Sequence, residues 1–420
     1  MAGNDIITRH MEKPLHEVLK NILGRNLWLQ LTGAEVAKPF IQGKPGGGKT
    51  ASIIAMCKEY NWNLFHLHLP LIPLEDLSGL PNFVNLTIDG EIVQGTRWTF
   101  PEILTEIYKL SEEIITVKDA KTKKDVQQKK PCIVLLDDMH LASPGHLTLG
   151  FELFSEKKLR TYKIPENVAF ILAGNASAKA GTKTQNSAIL NRLAIFPVNT
   201  DFDNWKTKYA YPNGVNSKIV AFLNSDTYRR FFHEDETVNN PWGSPRSWTY
   251  LSTMMNSIES SLKDGEINQQ ELMYLANAHV TPTAASEFVM FYSIYSKTQM
   301  DLVFAGKLAV KIPDDELTKY IYMIAAANEF VGKYRKQEDK VEKEKVIDKI
   351  VEILLAIAKT NSEIAMTGLK QIIELEQAIP VNGVKTNTTS YQNIITKVAV
   401  SNEPLSKKIR DDILKVSMTN

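Results

Sequence analysis

The sequence predicts an α/β fold in which a five-stranded parallel sheet is followed by a long helical region. Three observations predict it. A glycine-rich octapeptide lies between an apolar run and a helical pattern, short apolar runs alternate with helical or loop sequence, and the strand pattern stops near Thr200. Short, buried, β-branched runs of this kind are typical of parallel sheets that are covered on both faces.

The octapeptide at positions 43–50 has the form GxxxxGK[ST] of a phosphate-binding P-loop. Glycines let successive backbone N–H groups converge on phosphate oxygens, which side chains would obstruct. The preceding residues 39–42 predict a strand, and residues 51–60 predict a helix whose N-terminus favours anions. We therefore expect a nucleotide site with a lysine for the outer phosphates and a threonine hydroxyl for Mg²⁺, formed by Gly43, Lys44, Pro45, Gly46, Gly47, Gly48, Lys49 and Thr50.

The remaining strands of the sheet are predicted from four short apolar runs, at residues 63–69, 132–136, 168–173 and 194–198. Residues 85–98 alternate around Asp89-Gly90, which predicts a small hairpin inserted between two strands. Residues 118–130 contain six lysines and two aspartates. We interpret this polar segment as a solvated loop.

After Thr200 the pattern is nearly all helical and is interrupted by prolines. Ile347, Ile350, Leu354 and Ile357 form an apolar stripe, which predicts a core-facing helix. We expect three domains: an α/β nucleotide-binding domain at residues 1–200, a helical lid at 201–300 and a helical C-terminal extension at 301–420.

Bulk composition bears on which partners and which compartment are expected. With 49 basic and 48 acidic residues the net charge is +1, so the overall charge does not favour a nucleic-acid or membrane partner. Cys57 and Cys132 lack the spacing of metal ligands. We expect both to be small core residues of a protein in a reducing compartment. Neither a signal peptide nor a membrane-spanning stretch is apparent, so a cytoplasmic protein is expected.

The run at residues 132–136 ends in two acids, Asp137 and Asp138. Ligands of open α/β sheets bind at the carboxyl ends of the strands, so both acids are expected beside the P-loop. We predict that Asp137 orients Mg²⁺ through its waters. Asp138 is predicted to polarise the attacking water as general base.

Three more polar residues are candidates for the nucleotide site. The 168–173 run ends in Gly174-Asn175, where the Asn175 amide is predicted to hold the attacking water in line. Arg192 precedes the last strand and is predicted to project towards a neighbouring subunit as an arginine finger, worth ~10³ or more in rate. Ser244 and Pro245 are typical of a helix start, so Arg246 is placed to fold over the nucleotide.

Histidines contribute no recognised metal motif. The chain contains no HExxH sequence. His66 and His68 alternate on the second predicted strand, so they share one face and lie near the site. The favoured interpretation is that both are structural residues of the core or of the rim.

Taken in order, the segments GKPGGGKT, LLDD, ILAGN, LNRL and SPRSW resemble the AAA+ superfamily, and specifically its MoxR-like branch. The resemblance covers about residues 30–300. Residues 74–79 are similar to the family's loop after the second strand, and the hairpin is similar to the branch's helix-2 insert. The resemblance implies a P-loop AAA+ domain that uses ATP and Mg²⁺, with Asn175 as sensor 1 and Arg246 as sensor 2.

The same resemblance implies a homo-oligomer, usually a hexameric ring, that hydrolyses ATP between subunits and remodels a protein client, in some members one with a von Willebrand A domain. One departure concerns the second acid, because the family usually has Asp-Glu where this chain has Asp137-Asp138. A carboxylate shorter by one methylene lies ~1 Å further from the water, and such a misplacement costs about a hundredfold in rate.

Two other functions stay open at this point. A nucleic-acid-associated NTPase motor of the restriction or replication type shares the P-loop, but the near-zero charge and the lack of a zinc finger or aromatic–basic groove disfavour it. A nucleotide-gated scaffold that binds ATP and barely hydrolyses it is favoured by Asp138. DNA-stimulated turnover would select the motor, and tight ATP binding without turnover would select the scaffold.

Overall fold

The computed structural model describes residues 13–14, 22–118, 124–175, 191–234, 240–262, 266–378 and 389–400. The chain divides into two compact units, Met1–Asp201 and Phe202–Asn420. The division of the chain into three domains stays a prediction.

The first unit is built on a parallel sheet. Its strands, in chain order, are β1 Lys13–Pro14, β2 Lys38–Gly43, β3 Asn63–His68, β4 Pro81–Ile88, β5 Glu91–Trp98, β6 Ile114–Lys118, β7 Asp125–Lys129, β8 Cys132–Asp137, β9 Lys158–Leu159, β10 Tyr162–Lys163, β11 Val168–Asn175 and β12 Leu193–Asn199. The main sheet has the order β1-β12-β2-β11-β8-β3, and every pair in it is parallel. The five-stranded parallel sheet is confirmed, and the two-residue β1 extends its edge.

The central strands are apolar along their whole length because both of their faces are covered. On β8, Val134 and Leu136 belong to one hydrophobic cluster, whereas Ile133 and Leu135 belong to a second cluster. Successive side chains of a strand point to opposite faces, so this alternation places one cluster on each side of the sheet. These two layers hold the carboxyl ends of the strands in a fixed register.

Cys57 and Cys132 are free thiols that lie inside these layers. Burial raises the pKa of each thiol to about 12. Both thiols are therefore protonated and unreactive near neutral pH, as expected for small core residues.

The α-helices among the described residues of the first unit are Gly24–Leu31, Lys49–Glu59, Leu74–Ser78, Glu102–Ser111 and Pro144–Ser155. Strands β4 and β5 form the predicted hairpin, and Asp89 and Gly90 at its turn have φ of 51° and 87°. Two left-handed residues are what a two-residue type I′ turn requires.

The polar segment at residues 118–130 is not simply a loop. Its described part contains β7, which pairs with β6 as a second hairpin, with Lys118 opposite Asp125. The expectation failed because β7 is solvent-exposed along its whole length and so lacks the apolar alternation that reveals a strand. Residues 119–123 lie outside the described part.

The buried side chain of Gln30 acts as a substitute strand partner. Its Nε2 donates to the Phe170 carbonyl at 3.0 Å, and the Phe170 N–H donates to its Oε1 at 2.9 Å. β2 pairs with β11 only from Leu172 onwards, so Gln30 satisfies the Phe170 backbone where the sheet does not. Without the Gln30 side chain the N–H and the carbonyl of Phe170 would lose these partners inside the protein, which lowers the free energy of unfolding.

Gln30→Ala is therefore expected to lower the free energy of unfolding by about 2–4 kcal/mol. Chemical denaturation followed by circular dichroism measures this loss. Thr32→Ala is the matched control, because Thr32 is exposed at the end of the same helix and bonds only locally to the Leu29 carbonyl. Equal losses in the two variants would contradict the proposed role of Gln30.

The second unit is helical in its described residues. Its α-helices are Phe202–Trp205, Ser217–Asn224, Pro245–Ser261, Gln269–Asn277, Pro282–Lys297, Met300–Phe304, Glu316–Lys336, Lys340–Ala358, Ser362–Ala378 and Thr389–Val400. They share one hydrophobic core, in which the predicted stripe of Ile347, Ile350, Leu354 and Ile357 is buried. Among the described residues, no helix combines the length and the apolar character needed to cross a bilayer.

Candidate functional site

The site forms where four parallel strands end. Gly43, the last residue of β2, is paired with Asn175, the last residue of β11. Asp137 at the end of β8 is paired with His68 at the end of β3. Because all four strands are parallel, these residues lie along one edge of the sheet, the edge at which α/β folds bind ligands.

The P-loop leaves β2 at a point of close backbone contact. A Cβ atom on Gly43 would lie 2.7 Å from the Val198 carbonyl oxygen, so only glycine fits there. Gly48 has φ 82°, a left-handed conformation that glycine adopts without steric cost. The Thr200 hydroxyl donates to the Gly47 carbonyl at 2.8 Å, which ties the loop to the end of β12.

Lys49 places its ammonium group inside the loop. Its Nζ donates to the carbonyls of Gly43 and Lys44, both at 2.9 Å, and to Asn175 Oδ1 at 3.0 Å. The structure thus joins the predicted P-loop lysine to the predicted water-holding amide. These acceptors are neutral, so the cation is poised for a stronger, charge-assisted bond to a phosphate oxygen.

Thr50 and Asp137 face each other in the position expected for a metal ion. The Thr50 hydroxyl donates to Asp137 Oδ2 at 2.7 Å, and Asp137 is buried. Burial raises the pKa of the Asp137 carboxyl, but hydrogen bonds from Thr50, the Asp138 N–H and His66 outweigh it and hold the pKa below its ordinary value. An ionised carboxylate beside a hydroxyl is a set of oxygen donors that fits Mg²⁺.

Asp138 adopts an unusual backbone conformation, with φ 55° and ψ 31°. Aspartate tolerates this left-handed region better than longer side chains because its short polar group bonds locally. The conformation therefore suits an aspartate at position 138. Its carboxylate is 40% exposed and lies 3.4 Å from the His68 Nδ1 atom.

Three histidines lie at this edge of the sheet, and the sequence singles out only His66 and His68 among them. His66 Nε2 lies 3.0 Å from Asp137 Oδ2, and His68 lies next to Asp138. His140 contacts the Asn175 amide, with its Nε2 3.2 Å from Asn175 Nδ2. The spacing of His66 and His68 on one strand was a usable signal, whereas nothing in the sequence links His140 to Asn175.

Arg192 is not brought to the P-loop within its own unit. It precedes β12, and its carbonyl accepts a hydrogen bond from the Lys38 N–H at the amino end of β2. The P-loop begins at the other end of that strand, about 16 Å away at ~3.3 Å per residue. The Arg192 guanidinium carbon instead lies 4.6 Å from the centre of the Phe151 ring.

Arg246 belongs to the second unit. It is the second residue of the helix Pro245–Ser261, and its side chain is exposed. The Ser244 hydroxyl accepts a hydrogen bond from the Ser247 N–H at 3.1 Å, as a residue that caps a helix N-terminus does. The predicted start of this helix is therefore confirmed.

Comparison with known proteins gives only remote likenesses. No family model and no curated protein matches the sequence. Among solved structures, a point mutant of Thermotoga maritima RuvB has 14% identity and a TM-score of 0.33, over 86% of this chain and 91% of that one. The Thermotoga maritima RuvB Holliday junction branch migration motor has 13% identity and a TM-score of 0.28, over 84% of this chain and 87% of that one.

A putative ATPase from Cytophaga hutchinsonii has 12% identity and a TM-score of 0.25, over 89% of this chain and 79% of that one. Likenesses at this level carry no argument about what this chain does.

Proposed function

We propose that the chain is an ATP-binding and ATP-hydrolysing AAA+ protein of the MoxR-like kind. The observation that carries this proposal is the convergence of Lys49, the Thr50–Asp137 pair and Asn175 on one edge of a parallel sheet. Lys49 contacts the Asn175 amide, Thr50 contacts Asp137, and a cation, a pair of metal-fitting oxygens and a neutral amide at one sheet edge match the needs of phosphoryl transfer to water.

Each residue has a distinct part in this proposal. The P-loop N–H groups and Lys49 bind the phosphates, while Thr50 and Asp137 hold Mg²⁺ directly and through its waters. Held there, Mg²⁺ would supply positive charge for the phosphates. Asn175 orients the attacking water, and Asp138 accepts its proton. In this account Arg246 contacts the nucleotide of its own chain.

The proposed function includes assembly into a ring, which the position of Arg192 supports. An arginine at the amino end of the sheet is too far from the P-loop of its own unit, so its use in catalysis requires a neighbouring subunit. The β4–β5 hairpin supports a protein client, because Phe83, Ile88 and Ile92 on it are 73%, 55% and 76% exposed. Phe83 and Ile92 fall on the same face of this hairpin, and exposed apolar side chains on one face are typical of protein-binding surfaces.

A second candidate is a nucleotide-gated scaffold with little turnover. It is favoured by Asp138, whose short carboxylate already has the His68 ring as a neighbour. Native mass spectrometry with and without ATP and Mg²⁺, combined with a phosphate-release assay on the same sample, tests both functions. Assembly with turnover supports the ATPase, and assembly without turnover supports the scaffold. The absence of both assembly and turnover would contradict both functions.

Asp138→Asn is expected to trap bound ATP and to lower turnover by about 10²–10⁴-fold, because the amide cannot accept the proton of the attacking water. Asparagine keeps the left-handed backbone, so the fold should be retained. Asp89→Asn is the matched control, since Asp89 has φ 51° in an exposed hairpin turn. A variant at position 138 that hydrolyses ATP at the parent rate would place the general base elsewhere.

Asp137→Asn is expected to act mainly on Mg²⁺. The amide removes the negative charge that faces Thr50, so the Mg²⁺ concentration for half-maximal turnover should rise by about tenfold or more. Titrating Mg²⁺ at saturating ATP measures this shift. An unchanged Mg²⁺ requirement would show that Asp137 does not support the ion.

A further inference from the structure

We propose that His66, His68 and Asp137 form a binding site for a divalent transition-metal ion of the zinc class. His66 and His68 are two residues apart on β3, so their side chains lie on the same face of the sheet. Their ring centres are 4.2 Å apart. Together with Asp137, each offers a donor atom, and all three donor atoms lie within 4.8 Å of one another.

The Nδ1 atom of His68 lacks a hydrogen-bond partner among the described residues. This atom is also shielded from solvent. The Asp138 carboxylate lies 3.4 Å away without forming such a bond. A nitrogen that is shielded from water and makes no hydrogen bond destabilises the folded state, and coordination of a metal ion would remove that destabilisation.

The donor set selects the class of ion. Two imidazole nitrogens and one carboxylate oxygen suit Zn²⁺, Co²⁺ or Ni²⁺, whereas Mg²⁺ prefers oxygen ligands alone. Donors around a tetrahedral Zn²⁺ lie roughly 3.3–3.5 Å apart. His66 Nε2 and Asp137 Oδ2 are already 3.0 Å apart, so the main adjustment is a rotation of the half-exposed His68 ring.

Protons balance in a simple way on binding. His66 must offer the Nε2 lone pair to the metal, and any proton shared with Asp137 at that nitrogen passes to solvent. His68 would ligate through Nδ1 as a neutral imidazole that carries its proton on Nε2. A water molecule would supply the fourth ligand of the ion.

The proposed ion competes with the nucleotide's own metal. Asp137 Oδ2 is also the acceptor for the Thr50 hydroxyl, so a zinc-class ion on that oxygen withdraws it from the Thr50 side. Binding of Zn²⁺ and binding of Mg²⁺–ATP are then mutually exclusive. This consequence rests on the proposed function, whereas the existence of the metal site does not.

The site is tested first without nucleotide. Isothermal titration of Zn²⁺ and visible absorption of Co²⁺ on the metal-free full chain should show one ion per chain. His68→Ala and His66→Ala should each weaken binding by at least about tenfold. His279→Ala is the matched control, because that imidazole bonds only locally to the Leu275 carbonyl. Circular dichroism establishes that each variant is folded.

Parent-like Zn²⁺ affinity in folded His68→Ala and His66→Ala would overturn the site. Competition is then tested with a fluorescent ATP analogue and Mg²⁺. We expect Zn²⁺ to displace the analogue from the parent. In His68→Ala the Zn²⁺ concentration needed for half-displacement should be at least about tenfold higher. Simultaneous binding of Zn²⁺ and the analogue would overturn the exclusion, whereas a parent that binds Zn²⁺ but never the analogue would contradict the proposed function instead.

Discussion

Lys49→Ala is expected to abolish ATP binding and turnover while leaving the chain folded. The Lys49 ammonium lies among the Gly43 and Lys44 carbonyls and the Asn175 amide, at the centre of the P-loop. Its bonds to two phosphates are worth about 1.5–3 kcal/mol each, so affinity should fall by about 10²–10⁴-fold. Isothermal titration and phosphate release measure the two losses.

Lys44→Ala supplies the matched control for this prediction. It removes a lysine from the same octapeptide, but the Lys44 side chain is exposed, and the Lys49 contact uses only its backbone carbonyl. We expect the control to keep most of its nucleotide affinity. Parent-like binding and hydrolysis in Lys49→Ala would show that the loop is not the nucleotide site.

The second large effect is expected for Arg192→Ala, which should abolish turnover yet bind ATP nearly normally. Arg192 lies at the amino end of the sheet, where it stacks on Phe151, whereas the P-loop lies at the carboxyl end. An arginine finger contributes about 10³–10⁵ to the rate, and it acts on the transition state rather than on binding. Arg246→Ala should lower affinity as well, because in the proposed account Arg246 contacts bound nucleotide.

Mixing Arg192→Ala protein with Lys49→Ala protein tests whether the active site is shared. Each variant lacks what the other retains, so mixed assemblies should regain activity at interfaces that pair an intact P-loop with an intact arginine. Native mass spectrometry establishes that mixed assemblies form. Failure to regain activity in such assemblies would show that Arg192 acts within its own chain or has only a structural role.

Sequence alone could predict the sheet because its central strands are buried on both faces. The apolar runs at β8 and β11 end directly at Asp137 and Asn175, so the strand ends and the site residues were visible together. In contrast, β7 is a polar strand on an exposed hairpin, and β1 has only two residues. Their pairing depends on neighbouring backbone rather than on any apolar pattern of their own.

The contacts between side chains at the site depend on register, which a single sequence does not reveal. His68 meets the acids because β3 pairs with β8 so that His68 lies opposite Asp137. A shift of one residue would turn both histidines to the other face of the sheet. The backbone of Asp138 is similar in this respect, since its left-handed conformation depends on the turn into residues Met139–Leu141.

The central claim is that the P-loop edge of this sheet binds a nucleoside triphosphate together with Mg²⁺. Isothermal titration of the parent with a non-hydrolysable ATP analogue, with and without Mg²⁺, tests it most directly. We predict one analogue bound per chain, with affinity that falls when Mg²⁺ is removed and is lost in Lys49→Ala. Absence of binding in the folded parent, or binding that neither Mg²⁺ nor Lys49 influences, would contradict the account.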